Sequence, residues 1–108
     1  MRLGVLFLSL SALWAQGPSA QNGKRLFEVK GCYQCHGWRA QGGLNGPRLA
    51  QTKLTLQGFR NILRNPPASQ MPPYRAAVLK DAETADLFAY IQSLPPPPPV
   101  ESIPQLKD

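Results

Sequence analysis

The sequence predicts an all-α fold with three main helices and proline-rich loops. Apolar residues recur at three- and four-residue spacing in the segments 22–33, 55–64 and 82–94. No segment of useful length alternates with the two-residue period of a β-strand. The connections contain Gly-Gly, Gly-Pro and Pro-Pro pairs, which form turns rather than helix. We therefore expect one small helical domain.

The boundaries of the three helices follow from their flanking residues. We expect Asn22 to cap the first helix and Asp81 to cap the third, because short polar side chains accept hydrogen bonds from free N–H groups there. The second helix ends before Pro66-Pro67, since proline restricts the residue before it. The third ends at Pro95–Pro99, which predict a stiff polyproline II stem.

The N-terminal residues 1–15 have the pattern of a secretory signal peptide. Arg2 precedes a short apolar run, and small residues follow at Ala15 and Ala20. We expect cleavage after Ala15, with Ala20 as the second choice. An uncleaved membrane anchor is the alternative, although the run is shorter than the roughly 20 residues that span a bilayer. The predicted organisation is a signal peptide (1–15), a domain (22–94) and a proline-rich tail (95–108).

Basic residues dominate the middle of the chain. The formal net charge is +6, and no Asp or Glu lies between Val29 and Lys80. Basic surfaces attract nucleic acids, anionic lipids or acidic proteins. An exported protein rarely meets nucleic acid, so an acidic protein partner is the expectation. A basic surface that serves only solubility is the alternative.

Both cysteines and the only histidine lie in the segment GCYQCHGW, residues 31–38. Cys32-x-x-Cys35-His36 is the spacing that attaches a c-type haem, with the histidine as an iron ligand. The alternatives are a zinc site, which needs four ligands, and a redox dithiol, which needs a βαβ context. One haem c attached through Cys32 and Cys35 is therefore expected. It would also stabilise a domain of roughly 90 residues, whose apolar core alone is marginal.

The second iron ligand is predicted from the available donors. There is no second histidine, and Met1 would leave with the signal peptide, so Met71 is the remaining thioether. It stands in the proline-rich segment SQMPPYR, a polar setting that argues against the usual role of methionine as core filler. Met71 is the expected ligand. Lys53 or Tyr74 as a weaker donor, or an iron with one open position, are the alternatives.

These motifs resemble the class I mono-haem cytochromes c of the small bacterial type, over residues 22–94. GKRLFEVKGCYQCHG is similar to the first helix of that family, NGPRL to its Gly-Pro-x-Leu turn, and MPPY to its methionine loop. The resemblance implies the cytochrome c fold, with three main helices around one covalently bound haem. One difference is that only 35 positions separate His36 from Met71, which predicts a more open haem edge.

The resemblance also implies two sets of contacts. Gly23 and Phe27 would cross the last helix near Tyr90. The carbonyl of Pro47 would accept a hydrogen bond from His36 and so orient the ring, which makes it a better donor to iron. Pro47 is therefore included among the expected cofactor-binding residues.

A histidine and a methionine on the iron leave no position open for a substrate, so the prediction is an electron carrier rather than an enzyme. The expected role is a periplasmic carrier that works by outer-sphere transfer and is a monomer. The alternatives are a cytochrome subunit of a periplasmic dehydrogenase or oxidase complex, and a five-coordinate haem enzyme or gas sensor. Five arginines are candidates to meet an acidic redox partner or to bind the haem propionates: Arg39, Arg48, Arg60, Arg64 and Arg75.

Overall fold

The computed structural model describes residues 4–5, 17–68 and 70–106. In these ranges it contains four α-helices, two short 3-10 helices and no strand, apart from one isolated bridge between Gly43 and Gly46. The all-α prediction is therefore confirmed. Most of the predicted signal peptide lies outside the described residues. None of the helices within them is long and apolar enough to cross a membrane.

The haem-attachment motif follows the first helix after a sharp turn. Helix α1 spans Ala20–Val29 and helix α2 spans Tyr33–His36, so the single continuous helix predicted here is wrong. Gly31 separates the two helices with a φ of +77°, a conformation that glycine adopts without strain. The predicted cap is also wrong. Ser19 caps α1, and its hydroxyl accepts a hydrogen bond from the backbone N–H of Asn22 at 3.0 Å.

The other two predicted helices are present with small changes. Helix α3 spans Leu56–Arg64 and helix α4 spans Asp81–Ser93. Asp81 was expected to cap α4, but it is the first residue inside the helix. The N-terminal cap is Lys80, whose backbone N–H donates to the carboxylate of Glu83 at 2.9 Å. The acidic side chain therefore reaches back to satisfy a free donor at the helix start.

Helix α4 packs against both α1 and α3. At its crossing with α1, a Cβ on Gly23 would lie 2.7 Å from the Cβ of Tyr90 and closer still to the carbonyl oxygen of Asp86. The rings of Phe27 and Tyr90 meet edge to face, with centroids 5.5 Å apart. These are the contacts that the resemblance implied. Glycine is thus required at the crossing because the two backbones approach too closely for any side chain.

The apolar core lies between these helices and the loops that join them. Its large buried side chains are Leu26, Phe27, Phe59, Leu63, Leu79, Leu87, Tyr90 and Ile91. Beyond α4, Pro95–Pro99 are exposed, and Pro99 has polyproline II angles of φ −61° and ψ 147°. Two 3-10 helices follow, at Val100–Ser102 and Pro104–Leu106.

Candidate haem-binding site

The two cysteines of the motif lie in different environments. Cys32 immediately precedes α2, is half-buried and packs against the apolar core. Its burial raises the pKa of the thiol to about 11. Cys35, on α2, is exposed. The two cysteines form no disulfide with each other, and they present one thiol at the core and the other at the surface.

His36 ends α2 and is buried, with 8% of its surface exposed. Its ring Nδ1 lies 2.8 Å from the carbonyl oxygen of Pro47. A carbonyl can only accept, so Nδ1 carries the proton and donates, which leaves Nε2 with a free lone pair. In this tautomer Nε2 is the nitrogen that can bind a metal.

The loop after α2 brings Pro47 back to His36. Gly42 has a φ of +83°, and its N–H donates to the carbonyl of His36 at 2.8 Å. Farther along, the carbonyl of Ala40 accepts hydrogen bonds from the N–H groups of Leu49 and Ala50, both at 2.9 Å. These hydrogen bonds fold the loop between His36 and Ala50 back on itself, which keeps Pro47 beside His36.

Met71 lies in the methionine loop, residues 65–80, which joins α3 to α4. It is half-buried, packs against the apolar core and lines an open cleft of about 610 Å³. The other lining residues are Arg64, Asn65, Pro66, Ala68, Pro73 and Arg75. The lining does not include the cysteines or His36. A hydrogen bond joins His36 to Pro47, and another links the methionine loop to the segment before the motif.

Tyr74 provides that link. Its hydroxyl donates to the carbonyl oxygen of Lys30 at 2.8 Å, two residues before Cys32. The pKa of Tyr74 is raised, mainly by burial and further by the charges of the Cys32 and Cys35 thiolates, so its phenol lies close to the motif. Tyr74 was an alternative iron ligand, but its hydroxyl is used in this hydrogen bond. The alternative Lys53 is exposed.

Two of the five candidate arginines have structural roles that the sequence did not reveal. Arg64 donates from Nη1 to the carbonyl oxygens of Tyr74 and Leu79, both at 2.7 Å, and pairs with Asp81 at 2.8 Å. Arg60 donates from Nε to Thr84 Oγ1 at 2.9 Å. These side chains hold α3 against the methionine loop and the start of α4. Arg39, Arg48 and Arg75 are exposed and remain candidates for a partner surface or for the haem propionates. Arg48 also donates from Nε to the carbonyl oxygen of Ala50 at 3.1 Å.

A helical domain that carries Cys-x-x-Cys-His, with the histidine buried and hydrogen-bonded through Nδ1, defines the class of mono-haem c-type cytochromes. The comparison with known families agrees. The family model described as cytochrome c oxidase, cbb3-type, subunit III matches residues 18–91. The chain belongs to this family and is an electron-transfer haem cytochrome. No significant match is found among curated proteins or solved structures.

The residues present fit a covalently attached haem. The two thiols lie one turn of backbone apart, and the buried imidazole beside them offers the lone pair of Nε2 as a metal ligand. Met71 offers a soft sulfur at the lining of the cleft described above. Within the described residues there is no group of three or more His, Cys, Asp and Glu side chains that could hold a metal ion.

Proposed function

We propose that this chain is a periplasmic cytochrome that carries single electrons through one haem, attached at Cys32 and Cys35 and ligated by His36 and Met71. The observation that carries the proposal is the 2.8 Å contact between His36 Nδ1 and Pro47 O. It fixes the tautomer and the ring orientation of a buried histidine, and it makes Nε2 more basic. Any buried histidine would use such a hydrogen bond, and the position of His36 directly after Cys32-x-x-Cys35 is what assigns Nε2 to an iron.

When bound, the haem supplies an iron that changes its oxidation state by one electron. The chain's own residues determine how that change occurs. His36 is held in position by Pro47, and the thioether of Met71, as an iron ligand, would favour the ferrous state and so raise the reduction potential. Exposed Cys35 places one attachment point at the surface. Exposed basic side chains such as Arg39 would steer an acidic partner towards the molecule.

The test is the absorption spectrum of the exported protein in its oxidised and reduced states. We expect the ferric protein to show the weak red band of iron bound to a thioether. The band should disappear in Met71→Ala and remain in Val29→Ala, a matched truncation of an exposed apolar side chain on α1. Absence of the band in the unmodified protein, with rapid binding of carbon monoxide after reduction, would instead support a five-coordinate haem enzyme or gas sensor.

Covalent attachment and export are tested on the same preparation. Haem should stay with the denatured chain, and this retention should be lost when both Cys32 and Cys35 are replaced by Ala. Recovery from the periplasmic fraction with an N-terminus after Ala15 or Ala20 would support export with cleavage. An N-terminus at Met1 in the membrane fraction would support the uncleaved anchor.

A second candidate is a cytochrome subunit of an oxidase complex. The family model carries that description, and the exposed stem Pro95–Pro99 offers a rigid segment for docking. The full chain and a variant that ends at Leu94 should be compared for co-purification with other haem proteins. Co-purification that depends on the tail would favour the subunit role. Elution of both forms as monomers would favour the free carrier.

A further inference from the structure

We propose that Tyr74 is a positioning residue for Met71, and that its hydroxyl determines how firmly the methionine loop keeps the sulfur on the iron. The inference rests on the proposed function, because it requires Met71 to be an iron ligand. It concerns a role for Tyr74 that is distinct from ligation.

Tyr74 is held at three points. Its N–H donates to the carbonyl of Leu63 at 2.7 Å, and its own carbonyl accepts from Arg64 Nη1 at 2.7 Å. These two bonds fix the backbone of Tyr74 to the end of α3. The third bond, from the hydroxyl to the carbonyl of Lys30 at 2.8 Å, fixes the side chain to the segment between α1 and α2. Tyr74 therefore connects α3 with the chain that carries the attachment motif.

The restraint is transmitted to Met71 over a short distance. Only Pro72 and Pro73 lie between Met71 and Tyr74, and each proline has its φ fixed by its ring. The position of Tyr74 therefore limits the positions that Met71 can take. On the other side, the N–H of Met71 makes only a local bond, to the carbonyl of Ala68 at 3.2 Å. The main tether of the sulfur is thus on the Tyr74 side.

The hydroxyl of Tyr74 makes a contact that nothing else in the loop replaces. Among the hydrogen bonds of the described residues, it is the only one that joins residues 65–80 to residues 20–36. Met71 packs against the core but is only half-buried, so packing restrains it less than it would a fully buried side chain. Loss of the hydroxyl should therefore raise the fraction of molecules in which the loop has moved away and the sulfur has left the iron.

The experiment measures binding of imidazole to the ferric holoprotein, because imidazole binds only where the methionine sulfur has left. Tyr74→Phe keeps the ring and removes the hydroxyl. We expect imidazole to bind about five-fold more tightly, the effect of one neutral hydrogen bond. Ser93→Ala is the matched control, since it also removes a hydroxyl that donates to a backbone carbonyl, that of Tyr90 at 2.6 Å, but on α4. This control should bind imidazole as the unmodified protein does.

Met71→Ala separates the two proposals. If Met71 is the ligand, this variant binds imidazole much more tightly, and adding Tyr74→Phe to it has no further effect. If Met71→Ala binds imidazole as the unmodified protein does, ligation by Met71 is wrong. If Met71→Ala behaves as a ligand variant but Tyr74→Phe matches Ser93→Ala, ligation stands and the positioning role of Tyr74 is overturned.

Discussion

Gly46 lies against the imidazole of His36 so closely that a Cβ on residue 46 would stand 3.0 Å from both Nδ1 and Cε1 of the ring. The same Cβ would lie 2.9 Å from the carbonyl oxygen of Cys35. The glycine of the Gly-Pro turn thus makes room for the histidine, while the following proline provides its hydrogen-bond acceptor. This turn therefore provides both the space and the hydrogen-bond acceptor for the imidazole of His36.

Gly46→Ala should therefore destabilise the holoprotein by about 1–3 kcal/mol, the usual cost of an added methyl group where there is no space. The turn must move, so the contact between His36 and Pro47 should lengthen and the reduction potential should change. Urea unfolding and a redox titration measure the two effects. Gly43→Ala is the control, because a Cβ there has nothing within 4 Å. Equal stability of the two variants would contradict the prediction.

Gly23→Ala should destabilise the protein by about 3 kcal/mol, at the upper end of overpacking effects, because the added methyl group meets the backbone of Asp86. Backbone atoms cannot rotate away as a side chain can. The matched variant is Gly58→Ala in α3, whose nearest neighbour is the side-chain oxygen of Thr55 at 3.3 Å. Helix propensity favours Ala by up to about 1 kcal/mol, which offsets the small shift required of the Thr55 side chain, so this variant should stay within about 1 kcal/mol of the parent. Similar urea midpoints for the two variants would argue against a close helix crossing.

Arg64→Ala should cost about 3 kcal/mol, because it removes charged hydrogen bonds to two backbone carbonyls and an ion pair with Asp81. The control is Arg25→Ala, where an exposed arginine makes one hydrogen bond, to Asn22. Its effect should stay within about 0.5 kcal/mol. Thermal or urea unfolding of the holoproteins measures both. A small effect at Arg64 would mean that solvent replaces its partners.

Stability should fall at high pH because of Tyr90. Its pKa is raised above the ordinary value of 10.0, mainly because burial disfavours the phenolate and further because Glu28 is negative, while Arg39 acts in the opposite direction. As the pH rises above 10.0 the unfolded chain loses the phenol proton first, so the stabilisation present below that pH is lost on passing through the folded pKa. The urea midpoint should therefore fall less steeply with pH in Tyr90→Phe. Parallel curves would contradict this role.

Electron exchange with an acidic redox protein should depend on the exposed Arg39. Arg39→Glu should slow the reaction several-fold at low ionic strength, and the difference should shrink as added salt screens the charges. Lys24→Glu changes the net charge equally but lies on α1, on the exposed face of that helix. Stopped-flow measurements over a range of salt concentrations compare the two variants. Equal slowing by both would indicate a general charge effect rather than a docking surface.

Contacts between residues close in sequence were the ones that could be predicted. The end of α3 before Pro66 follows from the chemistry of proline, and the attachment motif occupies five consecutive positions. The contact between Pro47 and His36 was expected from family resemblance and not from spacing. The break at Gly31 was missed, because the apolar pattern continues across it and only the left-handed backbone interrupts the helix.

The sequence by itself determined the all-α class, the approximate helices and the cofactor chemistry, because periodicity, proline and cysteine spacing act over a few residues. Only the tertiary structure decided which polar side chains are available. Arg64 and Asp81 are 17 residues apart, and Tyr74 and Lys30 are 44 apart. Such pairs depend on how α1, α3, α4 and the methionine loop pack together. In the packed structure Arg60 and Arg64, which were candidate docking residues, form internal hydrogen bonds. Tyr74, which was a candidate ligand, bonds instead to the carbonyl of Lys30 and so ties down the loop that carries Met71.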